Sequence, residues 1–390
     1  MRGITIFNYG GSGTIGLMNA GFEVPLVLEI DKPMIEEGAA MHFINNYPDI
    51  KVLPPEYWNN EEYLELMKNE NWDTIIGWPP CSGLSMINRN ASADNAINHY
   101  MYDWANAIKA IRPKTFIMEN APTLVTKGKP ILNDIIAKLN QYYRFTIIRD
   151  YAGNHNCCMR RLRTMLVGWR RDIFKTIPVI QQNAVKTNVS EVLNKIDKNS
   201  PNMTLVPERT CQDLDWVIPD ITEPISIVTH ICKNYEKYED KLTDKRKKAI
   251  ANTLQKIRED KGYFDKSPNK LKEGGLSPSL ASVTELIHPT ENRPLYIREY
   301  AAIMGYPDNF EFVDNCKAPY IQSIAQGVPA NFIEWIAREV KSKLEAEFLV
   351  SNIQPHYDIC YEHLTSGKTE MECYTLESFV DTPDITAKGE

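Results

Sequence analysis

The 390 residues of this chain predict an α/β protein built on a doubly wound, mostly parallel sheet, with a second, smaller domain. Three observations carry that expectation. Short apolar runs alternate with stretches of helical spacing up to about residue 172, the pattern of strand–helix–strand units. The alternation degrades between residues 173 and 275 and then returns. Apolar runs also end in polar or reactive residues on Gly- or Pro-rich turns, and the carboxyl ends of parallel strands are where such sheets hold ligands.

Residues 3–9 predict a first strand, followed by the turn Gly10-Gly11-Ser12-Gly13 and a helix over 13–20 that ends at Gly21. Val24 to Glu29 predicts a second strand closing on Glu29-Ile30-Asp31, and Met34 to Asn46 has helical spacing. Thr74 to Ile76 reads as a third strand. His99 to Arg112 reads as a helix with Ile108 and Ile111 on one face, and Thr115 to Met118 as a strand ending in Glu119-Asn120. Pro130 to Asn140 and Arg144 to Asp150 read as a further helix and strand. The middle region holds one long charged helix candidate, Asp244 to Asp260, and Ser267 to Gly275 has the composition of a linker. Helical spacing resumes over 297–304 and 331–347. Residues 351–390 show no amphipathic pattern and read as an acidic tail or appendage.

Composition narrows the class. At 43% hydrophobic residues the chain can bury a large core. No apolar run approaches the ~20 residues of a membrane span. The sequence enters a strand pattern almost at once, which leaves no room for a signal peptide. The eight cysteines form no Cys-x-x-Cys pair, so no metal site is expected and a reducing cytoplasm fits best. Net charge is −7, but its distribution is uneven. Lys233 to Glu273 carries thirteen Lys and Arg against eight Asp and Glu, whereas residues 351–390 carry two against eight. A basic middle in an acidic chain suits an enzyme that meets an anionic polymer over one face; solvated surface is the plainer alternative.

The stretch Trp72 to Ser85 is the most telling. An apolar strand ends at Gly77, and Pro79-Pro80 then present Cys81 on a stiff loop. A thiol in that position suits a nucleophile better than a packing residue. Glu119 ends a neighbouring strand, so a parallel sheet would bring it to the same rim as Cys81. A thiolate beside a carboxylic acid suits addition to an electron-poor ring. Arg161 and Arg163 precede an apolar run, and strand alternation would put both guanidiniums on one face. The strand, Gly-rich turn and helix at the start, with Glu29 about twenty residues on, suggest an adenosine-containing cofactor.

These segments together resemble the DNA cytosine (carbon-5) methyltransferases. The matches come in that family's order: Phe7 to Gly21, Glu29-Ile30-Asp31-Lys32, Pro79-Pro80-Cys81, Glu119-Asn120, Arg161-x-Arg163, Arg293-Pro294-Leu295-x-x-Arg298-Glu299 with Met304 to Pro307, and Gln322 to Pro329. The resemblance implies a methyltransferase fold that uses S-adenosyl-L-methionine. Its catalytic and cofactor-binding domain would span 1–172, a target-recognition domain 173–275, and a return segment 276–350. It implies that Cys81 adds to carbon 6 of a flipped-out cytosine, that Glu119 holds ring nitrogen 3, and that Arg163 with Arg161 positions the base. Asn120 would brace the loop that carries Pro80 and Cys81. Phe7 would meet the adenine and Glu29 the ribose, with Gly10, Gly11, Ser12, Ile30 and Pro79 completing the cofactor set. In the recognition region Tyr235, Tyr238, Tyr263 and Phe264 would add groove contacts to the basic excess.

The chain departs from the family pattern at Tyr9, where glycine is usual, and at Ser82, Ala121, Met159 and Ala325-Gln326. None of these removes a reacting group. Double-stranded DNA is the expected partner, a separately acting restriction endonuclease a further one, and a monomer the expected state. A tRNA cytosine methyltransferase, a catalytically weak DNA-binding relative and an oxidoreductase on a similar sheet are the competing readings. The last does not account for the Pro-Pro-Cys loop.

Overall fold

The computed structural model describes residues 1–85, 88, 90–182, 185–207, 212–259, 267–346, 357–365 and 368–381. Its strands are β1 (Gly3–Ile6), β2 (Leu26–Leu28), β3 (Lys51–Leu53), β4 (Thr74–Gly77), β5 (Thr115–Asn120), β6 (Tyr143–Tyr151), β7 (Met159–Arg160), β8 (Leu162–Arg170), β9 (Asn269–Lys270), β10 (Ser277–Pro278), β11 (Leu286–Ile287), β12 (Ile359–Thr365) and β13 (Lys368–Tyr374). Nine of them form one sheet in the order β13-β12-β6-β8-β5-β4-β1-β2-β3. Neighbours from β3 to β5 are parallel, and β8 runs antiparallel between β5 and β6.

Burial explains the strand signals. Every residue of β1, β4 and β5 is buried, as expected of strands covered on both faces. The helix His99–Ile111 buries Met101, Trp104, Ala105, Ala107, Ile108 and Ile111, a stripe at helical spacing. The helices Ser12–Asn19 and Ala330–Glu345 pack together, so the return segment closes onto the first loop.

Four expectations need correction. The first strand stops at Ile6, because Phe7 and Tyr9 have left-handed backbones with φ of 69° and 51°. The segment Met34–Asn46 is two helices, Lys32–Glu36 and Ala40–Asn46, with Gly38 packed against Met34 at the break. Ser267 to Gly275 is not a free linker, since β9 pairs with β11 and Ser267, Lys270 and Leu271 are buried. The acidic tail contains β12 and β13, and β12 pairs in parallel with β6 along Ile359–His363. Period-two alternation there is masked by burial on both faces: Ile359, Cys360, Tyr361 and Glu362 are all buried.

A second, smaller core gathers Leu214, Val217, Ile218, Ile221, Ile227, Ile231, Tyr238, Leu242 and Ile250 with Ile287 of β11. By contrast Phe174, Ile177, Ile180 and Val189 belong to the main core, so the smaller unit is shorter than 173–275. The charged helix runs Asp244–Arg258 and buries only Ile250, leaving Lys245, Lys248, Lys256 and Arg258 exposed. Tyr238 is fully buried and donates to Asp220 Oδ2 at 3.1 Å, so it holds this core rather than facing a groove. Tyr263 and Phe264 lie outside the described residues. No described helix is long and apolar enough to cross a membrane.

Candidate active site

One row across the sheet organises the site. Leu28 of β2, Ile6 of β1, Gly77 of β4 and Met118 of β5 lie in register. One residue further along, the same four strands deliver Glu29, Phe7, Trp78 and Glu119 to a single rim. The chain winds outward in opposite directions on the two sides of β1, and the rim at such a switch point is a crevice for ligands.

Beyond Gly77, Trp78 and Pro79 are buried, Pro80 and Cys81 half-buried and Ser82 exposed. Asn120 Nδ2 donates to the Pro79 carbonyl at 3.1 Å, while its Oδ1 accepts the Ala121 N–H at 2.9 Å. Asn120 thus ties the thiol loop to the end of β5. Behind the thiol, the Leu84 N–H closes a turn onto the Cys81 carbonyl at 3.0 Å, and Thr123 Oγ1 donates to the Leu84 carbonyl. Asn98 Nδ2 holds the Ser92 and Ala93 carbonyls at 2.9 Å each, and a Cβ on Gly83 would sit 2.3 Å from Asn98 Oδ1. Thr123 carries no local sequence signal, because its partner lies 39 positions away, and Asn98 sits in no motif.

Glu119 is 4% exposed, and its Oε1 lies 2.7 Å from Arg163 Nε. Burial pushes the Glu119 carboxyl up, and the charges of Arg163 and then Arg161 oppose that rise. A carboxyl held between these influences can carry a proton and share it with a ring nitrogen. Arg161 does not join Arg163 on a strand face. It precedes β8 and is buried, and its guanidinium donates to the carbonyls of Leu280 at 3.1 Å, Gly327 at 2.9 Å and Ala325 at 3.4 Å. It therefore ties the return segment to the rim. Burial, and then the like charge of Arg163, push its guanidinium below the usual range.

On the other side of β1, the Glu29 carboxyl is fully buried and accepts the N–H groups of Tyr9 at 2.7 Å and Ile30 at 3.1 Å. These loop donors meet a side chain of the chain itself. Gly11 is needed where it stands: its φ is 89°, and a Cβ there would lie 2.2 Å from Phe43. The Gly10 carbonyl accepts Tyr306 Oη at 3.0 Å, and buried Ser12 opens the following helix. Phe7 meets Trp58 and Tyr100 edge-on at centroid distances of 5.1 and 5.9 Å. Trp58 Nε1 in turn donates to the Glu29 carbonyl at 2.7 Å. An aromatic corner beside a buried carboxyl fits an adenosine group, the rings suiting the base and the acid the ribose hydroxyls. Trp58 and Tyr100 sit in no motif, so only the fold brings them here.

The charges of the motif after Arg293 serve packing. Arg293 forks onto both oxygens of Glu299 at 2.8 Å, and buried Arg298 donates to the carbonyls of Pro307, Asp308 and Phe310 at 3.1, 3.2 and 2.8 Å. Among the described residues no cluster of three or more His, Cys, Asp or Glu could hold a metal ion.

Burial raises the Glu29 carboxyl from 4.5 to about 8, against the pull of the N–H groups it accepts. A raised value means that the folded state prefers the protonated acid. The associated stability is full below the unfolded value, and it is lost as pH rises through about 8. Glu29→Gln is expected to remove this component, on the order of a few kcal/mol. Melting curves from pH 5 to 9 would then fall less steeply for the variant; parallel curves would contradict the burial argument.

The chain is 27% identical over 352 residues to the type II methyltransferase M.Sau96I of Staphylococcus aureus, covering 85% of this chain and 74% of that protein. It is 24% identical over 363 residues to M.NgoPII of Neisseria gonorrhoeae, covering 88% and 96%. In fold it is similar to a crystal structure of a putative DNA modification methyltransferase from an Escherichia coli prophage, with a TM-score of 0.60, 19% identity and coverage of 89% and 100%. It is also similar to Dnmt2 methyltransferase of S. pombe, with a TM-score of 0.54, 10% identity and coverage of 89% and 99%. The family description "C-5 cytosine-specific DNA methylase" matches residues 1–342, and the chain belongs to that family.

Proposed function

We propose that Cys81 is the nucleophile and Glu119 the acid with which this enzyme activates a cytosine in DNA. The observation that carries the assignment is the Glu119–Arg163 pair at 2.7 Å, on the strand next to the one that ends in the Pro79-Pro80-Cys81 loop. Cytosine carbon 5 is a weak nucleophile. Addition of the Cys81 thiolate to carbon 6, with Glu119 hydrogen-bonded at nitrogen 3, converts the ring into an enamine and places electron density on carbon 5. S-adenosyl-L-methionine, when bound, supplies an electrophilic methyl group. Once carbon 5 carries the methyl, loss of its proton expels Cys81 and leaves 5-methylcytosine. Arg163 fixes the orientation of Glu119, Asn120 that of the thiol loop, and Arg161 the approach of the return segment. Glu29 with Phe7, Trp58 and Tyr100 would hold the cofactor, beside Gly10, Gly11, Ser12, Ile30 and Pro79.

The target carbon lies inside the base stack, so the cytosine must swing out, at roughly a few kcal/mol of unstacking. The exposed basic helix Asp244–Arg258, on its separate small core, is a surface for duplex phosphates. We further propose that the chain acts as a cytoplasmic monomer, with any cognate endonuclease acting separately.

Incubation with labelled S-adenosyl-L-methionine and unmethylated DNA, followed by bisulfite sequencing, should place 5-methylcytosine in one short motif. Label entering tRNA alone would contradict the DNA assignment. Cys81→Ser should lower methyl transfer by at least about a thousandfold while leaving DNA affinity nearly unchanged. Substantial turnover by that variant would remove Cys81 from the chemistry. Neutralising Lys245, Arg246, Lys247 and Lys248 should weaken DNA binding and flatten its salt dependence by about 0.9 in log–log slope for each phosphate left without a cation. An unchanged slope would place the helix away from the backbone.

A further inference from the structure

Tyr9 is an anomaly that the reaction as described does not use. It stands in the loop after β1 with φ of 51°, a left-handed backbone that a bulky side chain rarely adopts. Its N–H is committed to Glu29 Oε1 at 2.7 Å, and its ring is 8% exposed. Burial first, and then the nearby Glu29, Cys81 and Glu119 when ionised, raise its phenol well above the usual tyrosine range. The phenol thus stays neutral, and the strand order β5-β4-β1-β2 sets its loop between the strand end that carries Glu29 and those that carry Cys81 and Glu119.

On the cofactor assignment the methyl donor would span that same interval, with its ribose toward Glu29 and its methyl toward Cys81 and Glu119. Between them would lie the sulfonium, a cation that becomes a neutral thioether once the methyl has left. We infer that Tyr9 is a ligand-discriminating residue: its ring offers an aromatic face to the sulfonium and makes the pocket prefer the charged methyl donor over the demethylated product. Cation–aromatic attraction gives this preference a physical basis, and it strengthens in a desolvated site. Wherever Glu29 or Glu119 is ionised it favours a cation as well, so the part due to the ring has to be separated from theirs. The inference rests on the cofactor assignment made above.

Calorimetric titration of the full chain without DNA, using S-adenosyl-L-methionine and S-adenosyl-L-homocysteine in turn, isolates that part. The readout is the ratio of the two dissociation constants. Tyr9→Phe keeps the ring and should leave the ratio within about twofold. Tyr9→Gly, which suits the left-handed backbone, and Tyr9→Leu should each reduce the preference for the donor by about threefold to tenfold. Melting curves of both ring-deletion variants identify any loss of fold, and either folded variant suffices. If wild type binds both ligands and the ratio survives loss of the ring, the Tyr9 inference falls while the cofactor assignment stands. If wild type binds neither ligand, the cofactor assignment falls and takes the inference with it.

Discussion

The register of four parallel strands is the constraint on which the site depends. Leu28, Ile6, Gly77 and Met118 align across the sheet, so the next residue of each strand arrives at one rim. A slip of one residue would turn every side chain of a strand to its other face. Burial of all of β1, β4 and β5 makes such a slip prohibitive. The corner around Glu29 and the loop that carries Cys81 can therefore share a rim although Glu29 and Glu119 lie ninety positions apart in the chain.

Short links from distant segments convert that row into a rigid site. Asn120 holds the Pro79 carbonyl, Tyr306 the Gly10 carbonyl and Arg161 the carbonyls of Leu280 and Gly327. Each donor is buried, where an unmade hydrogen bond is expensive. The return segment thus fixes both the loop after β1 and the rim, so the main core draws on both ends of the chain.

Much of this was legible in the sequence, for physical reasons. The alternation of strands and helices, the Pro-Pro-Cys loop and Glu119 at a strand end are local signals, and the register turns them into neighbours. What was not legible depends on tertiary context. Arg161 and Arg163 are two residues apart and appear equivalent, yet the start of β8 at Leu162 sends one into the return segment and the other onto Glu119. The two N–H groups that the Glu29 carboxyl accepts come from Ile30 beside it and from Tyr9 twenty positions away, a pairing that only the fold supplies. β12 shows no alternation because Ile359 to Glu362 are buried on both faces, and β13 is an edge strand whose Glu370, Met371 and Glu372 are exposed in succession. Trp58, Tyr100, Asn98 and Thr123 belong to no motif at all.

The proposed reaction requires a covalent bond between Cys81 and carbon 6 of the target ring. DNA carrying 5-fluorocytosine tests this directly, because fluorine cannot leave carbon 5 as a cation and the adduct cannot resolve after methyl transfer. Peptide mass spectrometry of the protein incubated with such DNA and S-adenosyl-L-methionine should find the nucleotide, with its added methyl, on the peptide that contains Cys81. An adduct on another cysteine, or methyl transfer to unmodified DNA with no trapped adduct, would contradict it.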